Sequence, residues 1–173
     1  MDNYEFQALI DEYGNTIYRF CKGMTYTTED AEDLYQQTFL TAFEKRNNLD
    51  RTGNPKAYLM SIASNLWRNQ KSTYARHQRI APTVSYEEVE HGVPSNSDDM
   101  LETTIQTDEE ATLRESIDKL PDKLKQVIVM YYSSEMSIED IAKALHIPKG
   151  TVKSRLHNAK ERLKEMMERE VNV

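Results

Sequence analysis

Apolar residues recur at steps of three and four along most of this chain, the spacing that gathers them on one face of an α-helix. Phe6, Leu9, Ile10, Tyr13, Ile17, Phe20, Cys21 and Met24 keep that spacing and predict a helix from about 4 to 23. A second helix, about 28–46, turns Ala31, Leu34, Tyr35, Thr38, Phe39 and Ala42 inward, and Thr27 with Asp30 forms a capping box at its start. Gly53, Asn54 and Pro55 break the chain in a loop at 49–56. A third helix, about 55–79, buries Leu59, Ile62, Ala63 and Leu66. From Ala81 to Gln106 the pattern lapses, and Pro82, Gly92, Pro94, serines and acids predict a flexible linker. Helices resume at Thr107, whose T-x-x-E box with Glu110 caps a segment bearing Leu113, Ile117 and Leu120. Pro121 opens another helix with Leu124, Val127, Ile128 and Tyr131 inward. Strand signals are nearly absent, with no Asn-Gly or Asp-Gly hairpin turn. The pattern predicts an all-α protein: two small helical domains, 1–80 and 107–173, joined by a flexible acidic linker, 81–106.

The stretch from Ser137 to Lys164 organises the second half. Ser137 and Asp140 have capping-box spacing, and Met136 and Ile141 stand as the halves of a hydrophobic staple. Ile138, Ile141, Ala142 and Leu145 mark one buried face, His146 and Ile147 a turn, and Pro148 the opening of a new helix. That helix buries Val152, Leu156, Ala159 and Leu163, which leaves Gly150, Ser154, His157 and Glu161 opposite. Lys153 and Lys160 lie on one flank, Arg155 and Arg162 on the other. A narrow apolar spine with small, polar and basic groups outside suits a helix entering the major groove: short side chains admit it, polar tips meet base edges, and cations meet phosphates. The plainer reading is an amphipathic surface helix of a bundle. Seven Lys/Arg against three Asp/Glu over 137–164, and Gly150 at the helix start, favour helix-turn-helix DNA binding.

The net charge of −7 has the wrong sign for that role until it is divided along the 173 residues. Residues 1–50 carry −6, 51–84 carry +6 without one acid, 85–113 carry −9 without one basic residue, and 114–173 carry +2. Two basic zones separated by an acidic block suggest two nucleic-acid surfaces. No apolar run approaches the roughly 18 residues of a membrane span. The N-terminus MDNYEFQ lacks a basic, apolar signal sequence, so a cytoplasmic protein is expected. Cys21 is the only cysteine, which excludes an intramolecular disulfide and a multi-cysteine zinc site; its place in an apolar helix pattern marks a core residue rather than a reactive thiol.

The acidic cluster Glu29, Asp30, Glu32 and Asp33 could be read as metal or acid–base chemistry, but anions at a helix N-terminus explain it more simply. On the outer face of the second helix, Asp33, Gln36, Gln37 and Glu44 surround Leu40, about 180° from the core stripe. A leucine so placed is either an ordinary exposed residue or a protein contact. Ser61, Asn65, Arg68 and Ser72 form a polar stripe on the third helix. Arg68, Lys71, Arg76 and Arg79, with Tyr74 and His77, make its second half more basic than a helix dipole needs, and so favour phosphate contact. Trp67, at the edge of the apolar stripe, is assigned to the core rather than to base stacking.

DAEDLYQQTFLTAFEKRNNL (30–49), PKAYLMSIASNL (55–66) and LPDKLKQVIVMYYSSEMSIEDIAKALHIPKGTVKSRLHNAKERL (120–163) together resemble bacterial sigma-70-family factors of the extracytoplasmic-function (ECF) group. The resemblance covers nearly the whole chain outside the linker, and the lack of a middle domain places it in that small group. It implies a promoter-specificity subunit of RNA polymerase, with core polymerase and promoter DNA as partners, no cofactor, no membrane insertion and no catalytic activity of its own. Whether an anti-sigma protein masks these surfaces is left open. By resemblance, Asp33, Gln36, Gln37, Leu40 and Glu44 meet the polymerase clamp helices. Asp50, Arg51, Thr52, Gly53 and Asn54, with Ser61, Asn65, Arg68 and Lys71, resemble the elements that hold a flipped base of the −10 element. Lys149, Thr151, Lys153, Ser154, Arg155, His157, Asn158 and Lys160 occupy the contact positions of the −35 reader. The chain departs from the family pattern at Asn69, where relatives often have aspartate, and at Asn158, often basic. The linker's 26 residues would span roughly 30 Å as a coil and about 90 Å extended. Two promoter elements one and a half turns apart lie roughly 50 Å apart, so it spans them only when stretched.

Two rival readings use the same residues. A stand-alone helix-turn-helix regulator would use the C-terminal domain alike, but it would need a dimer seam and leaves the basic third helix unexplained. A hydrolase or nuclease built on the acidic second helix is the enzyme-class alternative.

Overall fold

The structure, a computed structural model, describes residues 1–49, 53–80 and 107–172, with the side chains of 74–80 excepted. The predicted linker, Asp50–Thr52 and the side chains of Tyr74, Arg76, His77 and Arg79 lie outside the described residues. Every regular element among the described residues is a helix, with no strand, and the chain divides into two compact units between Ser95 and Asn96.

The first unit holds α1 (Asn3–Met24), α2 (Thr28–Glu44) and α3 (Pro55–Ile80), each packed on the other two. Each start is fixed by a short polar side chain. Asp2 accepts from the Glu5 amide at 2.8 Å while Glu5 accepts from the Asp2 amide at 2.9 Å, a reciprocal box the sequence reading missed. Thr27 accepts from the Asp30 amide at 3.0 Å, as expected, and Asn54 accepts from the Ala57 amide at 3.0 Å. Helix α2 stops two residues short of the expected end, and Arg46–Asn48 form one 3-10 turn. There the Arg46 guanidinium donates to the Phe43 carbonyl at 2.9 Å and lies over the Phe43 ring.

Ile17, Phe20, Met24, Leu34, Leu59 and Met60 are the fully buried centre. Tyr18, Tyr35, Phe39, Phe6 and Phe43 make a row of edge-to-face contacts between α1 and α2, with centroids 5.0–6.5 Å apart. Gly14 lets this row close, since a Cβ there would come within 3.0 Å of the Tyr35 hydroxyl oxygen. Burial raises the Tyr35 pKa, with smaller contributions from Cys21 and Asp11. Burial likewise pushes the Cys21 thiol up to about 12, so it stays protonated and inert at neutral pH. On α3 the buried stripe is wider than Leu59, Ile62 and Ala63 alone: Ala57, Met60, Ser64 and Trp67 join it, and Leu66 is only half-buried. The cause is that α3 faces both α1 and α2. Trp67 is a core residue as expected, and its indole donates to the Met24 carbonyl at 3.1 Å, satisfying an orphan acceptor at the end of α1.

The second unit holds α4 (Asp108–Asp118), α5 (Asp122–Ile128), α6 (Ile138–Leu145) and α7 (Lys149–Val171). Thr107 caps α4 through the Glu110 amide. Leu113, expected among the apolar contacts, is 41% exposed, whereas Ser116 is the buried residue of α4 and Leu120 is buried just beyond its end. The small Ser116 lies 4.0 Å from the Met167 sulfur. Helix α5 buries Leu124, Val127 and Ile128 and runs into a π turn, Val129–Ser133, closed by the Ser134 amide on the Val129 carbonyl; Tyr131 there is half-buried. Ser137 caps α6 through the Asp140 amide at 3.0 Å, and Met136 and Ile141 are buried as a staple requires. His146 ends α6 in the left-handed region, φ 56°, and Pro148 precedes the first turn of α7.

One buried ion pair joins α4 to α5. Lys125 Nζ, its side chain 4% exposed, lies 3.0 Å from Asp118 Oδ1, and Arg114 lies 3.6 Å from the same oxygen. That oxygen receives no well-angled hydrogen bond, so charge rather than directed donation holds the pair. Removing the carboxylate takes a close counter-charge from a buried ammonium. Asp118→Ala is expected to cost about 3 kcal/mol, and Asp118→Ala with Lys125→Met to recover most of it; urea unfolding followed by circular dichroism measures both.

Candidate nucleic-acid interface

Helix α7 is anchored by Val152, Leu156 and Ala159, all buried, with Leu163 half-buried. Gly150, Lys153, Ser154, His157, Asn158 and Lys160 are exposed, and Thr151 and Arg155 are half-buried. The expected −35 residues therefore lie outside the buried spine, with Thr151 and Arg155 at its edges. A Cβ on Gly150 would meet nothing within 4 Å, so internal packing does not require a glycine at this point. Open space beside the first turn is what an approaching backbone would use.

The cations differ in freedom. Lys149 lies 3.9 Å from Glu139, which also faces Lys143 at 3.8 Å, so α6 and α7 are tied across their turn. Lys160 sits against Tyr131 and Tyr132, and the Tyr132 side chain beside it raises its pKa.

In the first unit a groove of about 530 Å³ opens between α2 and α3, within the size range of small-ligand sites. Ile62 and Leu66 give it apolar walls, and Asn65, Arg68, Asn69 and Ser72 polar ones. Arg68 donates to Asn65 Oδ1, which orients the amide and leaves its NH2 group to donate outward. Thr41 and Lys45 line the α2 side. The sequence reading missed both, although they stand one helical turn apart on α2, and Lys45 is the first cation after its acidic stretch. Of the other expected −10 residues, the Ser61 hydroxyl donates back to the Tyr58 carbonyl at 2.7 Å, and Lys71 lies over the Trp67 ring at 5.2 Å. Asn54 caps α3, while Gly53 lines a different hollow with Glu5, Leu9, Tyr13 and Leu49. Asn65 and Arg68 are brought together; Gly53 is not brought to them.

Asp33, Gln36, Gln37, Leu40 and Glu44 are all exposed on the outer face of α2, Leu40 at 62%. The Gln70 amide of α3 donates to Gln37 Oε1 at 3.0 Å, so α3 borders this face. Among the described residues no His, Cys, Asp and Glu cluster could hold a metal, and no helix is long and apolar enough to cross a membrane.

The chain matches the sigma-70 region 2 family over residues 9–79 and the sigma-70 region 4 family over 110–163. It is 31% identical to the ECF RNA polymerase sigma factor SigW of Bacillus subtilis over 172 residues, 96% of this chain and 90% of that one. It is 28% identical to SigM of the same organism, covering 92% of this chain and 93% of the other. Its fold is similar to the sigma factor RpoE crystallised with the anti-sigma factor NepR from Bartonella quintana, with TM-score 0.71 at 23% identity over 95% and 97% of the two chains. It is likewise similar to CnrH in complex with the cytosolic domain of CnrY, with TM-score 0.69 at 19% identity over 96% and 90%. Region 2 and region 4 in this order, on two helical units with a groove in one and an outward-facing helix in the other, place the chain in the ECF group of sigma-70-family RNA polymerase sigma factors.

Proposed function

We propose a division of labour within this sigma factor: α2 docks on core polymerase, the α2–α3 groove takes an unpaired base of the −10 element, and α7 reads the −35 element. As a member of its family the chain is a sigma subunit that directs transcription initiation. The observation that carries the division is the exposed set Gly150, Ser154 and His157 on a helix whose opposite side carries the buried Val152, Leu156 and Ala159. The chain acts with polymerase in the cytoplasm and performs no catalysis itself; its contribution is binding energy and strand separation. The stand-alone regulator is disfavoured because it gives the groove and the outer face of α2 no task. Since one similar fold was crystallised with an anti-sigma factor, an anti-sigma partner covering these faces is part of the proposal.

A base that leaves the stack exposes its hydrogen-bonding edge and both faces. Ile62 and Leu66 offer apolar contact, and the Asn65 amide, oriented by Arg68, offers directed donation. Asn65→Ala is expected to leave the closed complex intact and impair melting at −10. Permanganate footprinting reads this, and normal open complexes with the variant would remove the groove from the mechanism.

Leu40→Ala combined with Gln37→Ala should weaken core-polymerase affinity at least several-fold with the fold retained, because a few residues near the centre of an interface carry most of its energy. A pull-down titration measures it, and circular dichroism monitors the fold.

For α7, base contact and phosphate contact separate by position. Ser154→Ala or His157→Ala should cost about 1–3 kcal/mol at a cognate site and relax preference at particular −35 positions. Lys160→Ala should weaken all sequences about equally. Selection by each holoenzyme from a promoter library randomised at −35 distinguishes these results. A shifted consensus with Lys160→Ala alone would mean the helix lies in the groove in another orientation.

A further inference from the structure

Neighbouring residues of an α-helix point about 100° apart, so adjacent rings seldom meet. Tyr131 and Tyr132 sit in the π turn Val129–Ser133, and their ring centroids are 4.8 Å apart at 78°. Lys160 of α7 crosses to both: its Nζ is 5.9 Å from the Tyr131 centroid and 5.6 Å from that of Tyr132. Tyr132 is 54% exposed, and Lys160 is exposed as well. A large aromatic left in solvent at a π turn is not serving the core, and such turns concentrate at functional sites.

We propose that Tyr132, with Tyr131 beside it, is a positioning residue that holds Lys160 ready for a DNA phosphate at the edge of the groove entered by α7. The proposal rests on the reading of α7 as the −35 helix. Lys160 shares its flank with Lys149 and Lys153, next to the face that carries Ser154 and His157. Lys149 is tied to a carboxylate, Glu139. Lys160 is engaged by two aromatic rings rather than by a carboxylate, so its position is restrained while its charge stays uncancelled. A free lysine loses rotamer freedom when it grips a phosphate, and a ring seat removes part of that loss beforehand. The attraction between ammonium and ring face supplies the seat.

The test uses holoenzyme assembled from the full chain and core polymerase. It is titrated at several salt concentrations with a labelled promoter duplex from the −35 selection and with the same duplex carrying a scrambled −35. Lys160→Gln is expected to reduce the salt slope by about one on both duplexes, the mark of one lost phosphate contact. Tyr132→Ala is expected to weaken both about 2- to 10-fold with the slope retained, since the charge remains. Tyr132→Phe, which keeps the ring, should recover part of that loss. In the Lys160→Gln background Tyr132→Ala should cost nothing more. An equal loss with and without Lys160, or no loss in either, overturns the proposal. Should Tyr132→Ala fail to fold by circular dichroism, Tyr132→Phe in the two backgrounds makes the same comparison. A wild-type holoenzyme with no preference between the duplexes would overturn the −35 reading alone, because the coupling of Tyr132 to Lys160 is measured on either duplex.

Discussion

The surface offered to DNA in the second unit depends on how little of α7 is anchored. Val152, Leu156 and Ala159 are spaced four and three apart, and all three are buried. A wider stripe would hold the helix more firmly but draw its flanks into the core, and a narrower one would not fix its rotation. At this width Ser154 and His157 are left facing outward, with cations on both flanks. The capped, stapled start of α6 and the left-handed residue His146 set the angle at which α7 leaves. The buried Lys125–Asp118 pair fixes α4 against α5 behind it.

The first unit solves a harder problem, since α2 is used on three sides. Its inner side meets α1 through Phe39 and the row of aromatic rings, another side walls the groove with Thr41 and Lys45, and the outer side carries Gln37 and Leu40. A helix so used cannot shift without disturbing all three. The edge-to-face contacts and the close approach of Tyr35 to Gly14 hold it in one position against α1. Trp67 does the same for α3, packing in the core while its indole closes the end of α1.

Charge explains how an acidic chain can serve DNA. The acids of 1–50 cluster at helix starts, where the dipole favours them, and those of 85–113 fall largely in the linker. The cations of 51–84 and 137–164 are left on the two segments that carry the groove wall and the reading helix. Net charge describes solubility and long-range steering, while local charge decides where a phosphate can be held.

Periodicity and caps were enough to locate the helices, because burying a stripe every three or four residues and satisfying the first amides of a helix are local requirements. Thr27, Thr107 and Ser137 cap as their spacing implied, and Val152, Leu156 and Ala159 are the anchor they were expected to be. The motifs of both units also identified the family from sequence. What lay beyond the sequence were facts about two elements at once. A stripe of period 3.6 does not reveal how many neighbours share it, so the broad burial of α3 and the exposure of Leu113 emerged only when the partners were in place. Thr41 and Lys45 became groove residues because α3 lies beside them, and Gly53 parted from Asn65 because it lines a hollow with Glu5, Leu9 and Tyr13 of α1 instead. Tyr132 reads in sequence as one more aromatic; the π turn and the crossing of Lys160 make it a neighbour of the reading helix. Local pattern determined where each helix starts and which narrow stripe it turns inward, and tertiary packing decided how wide that stripe is and which of the remaining groups meet, because such meetings depend on distances between elements that no local pattern encodes.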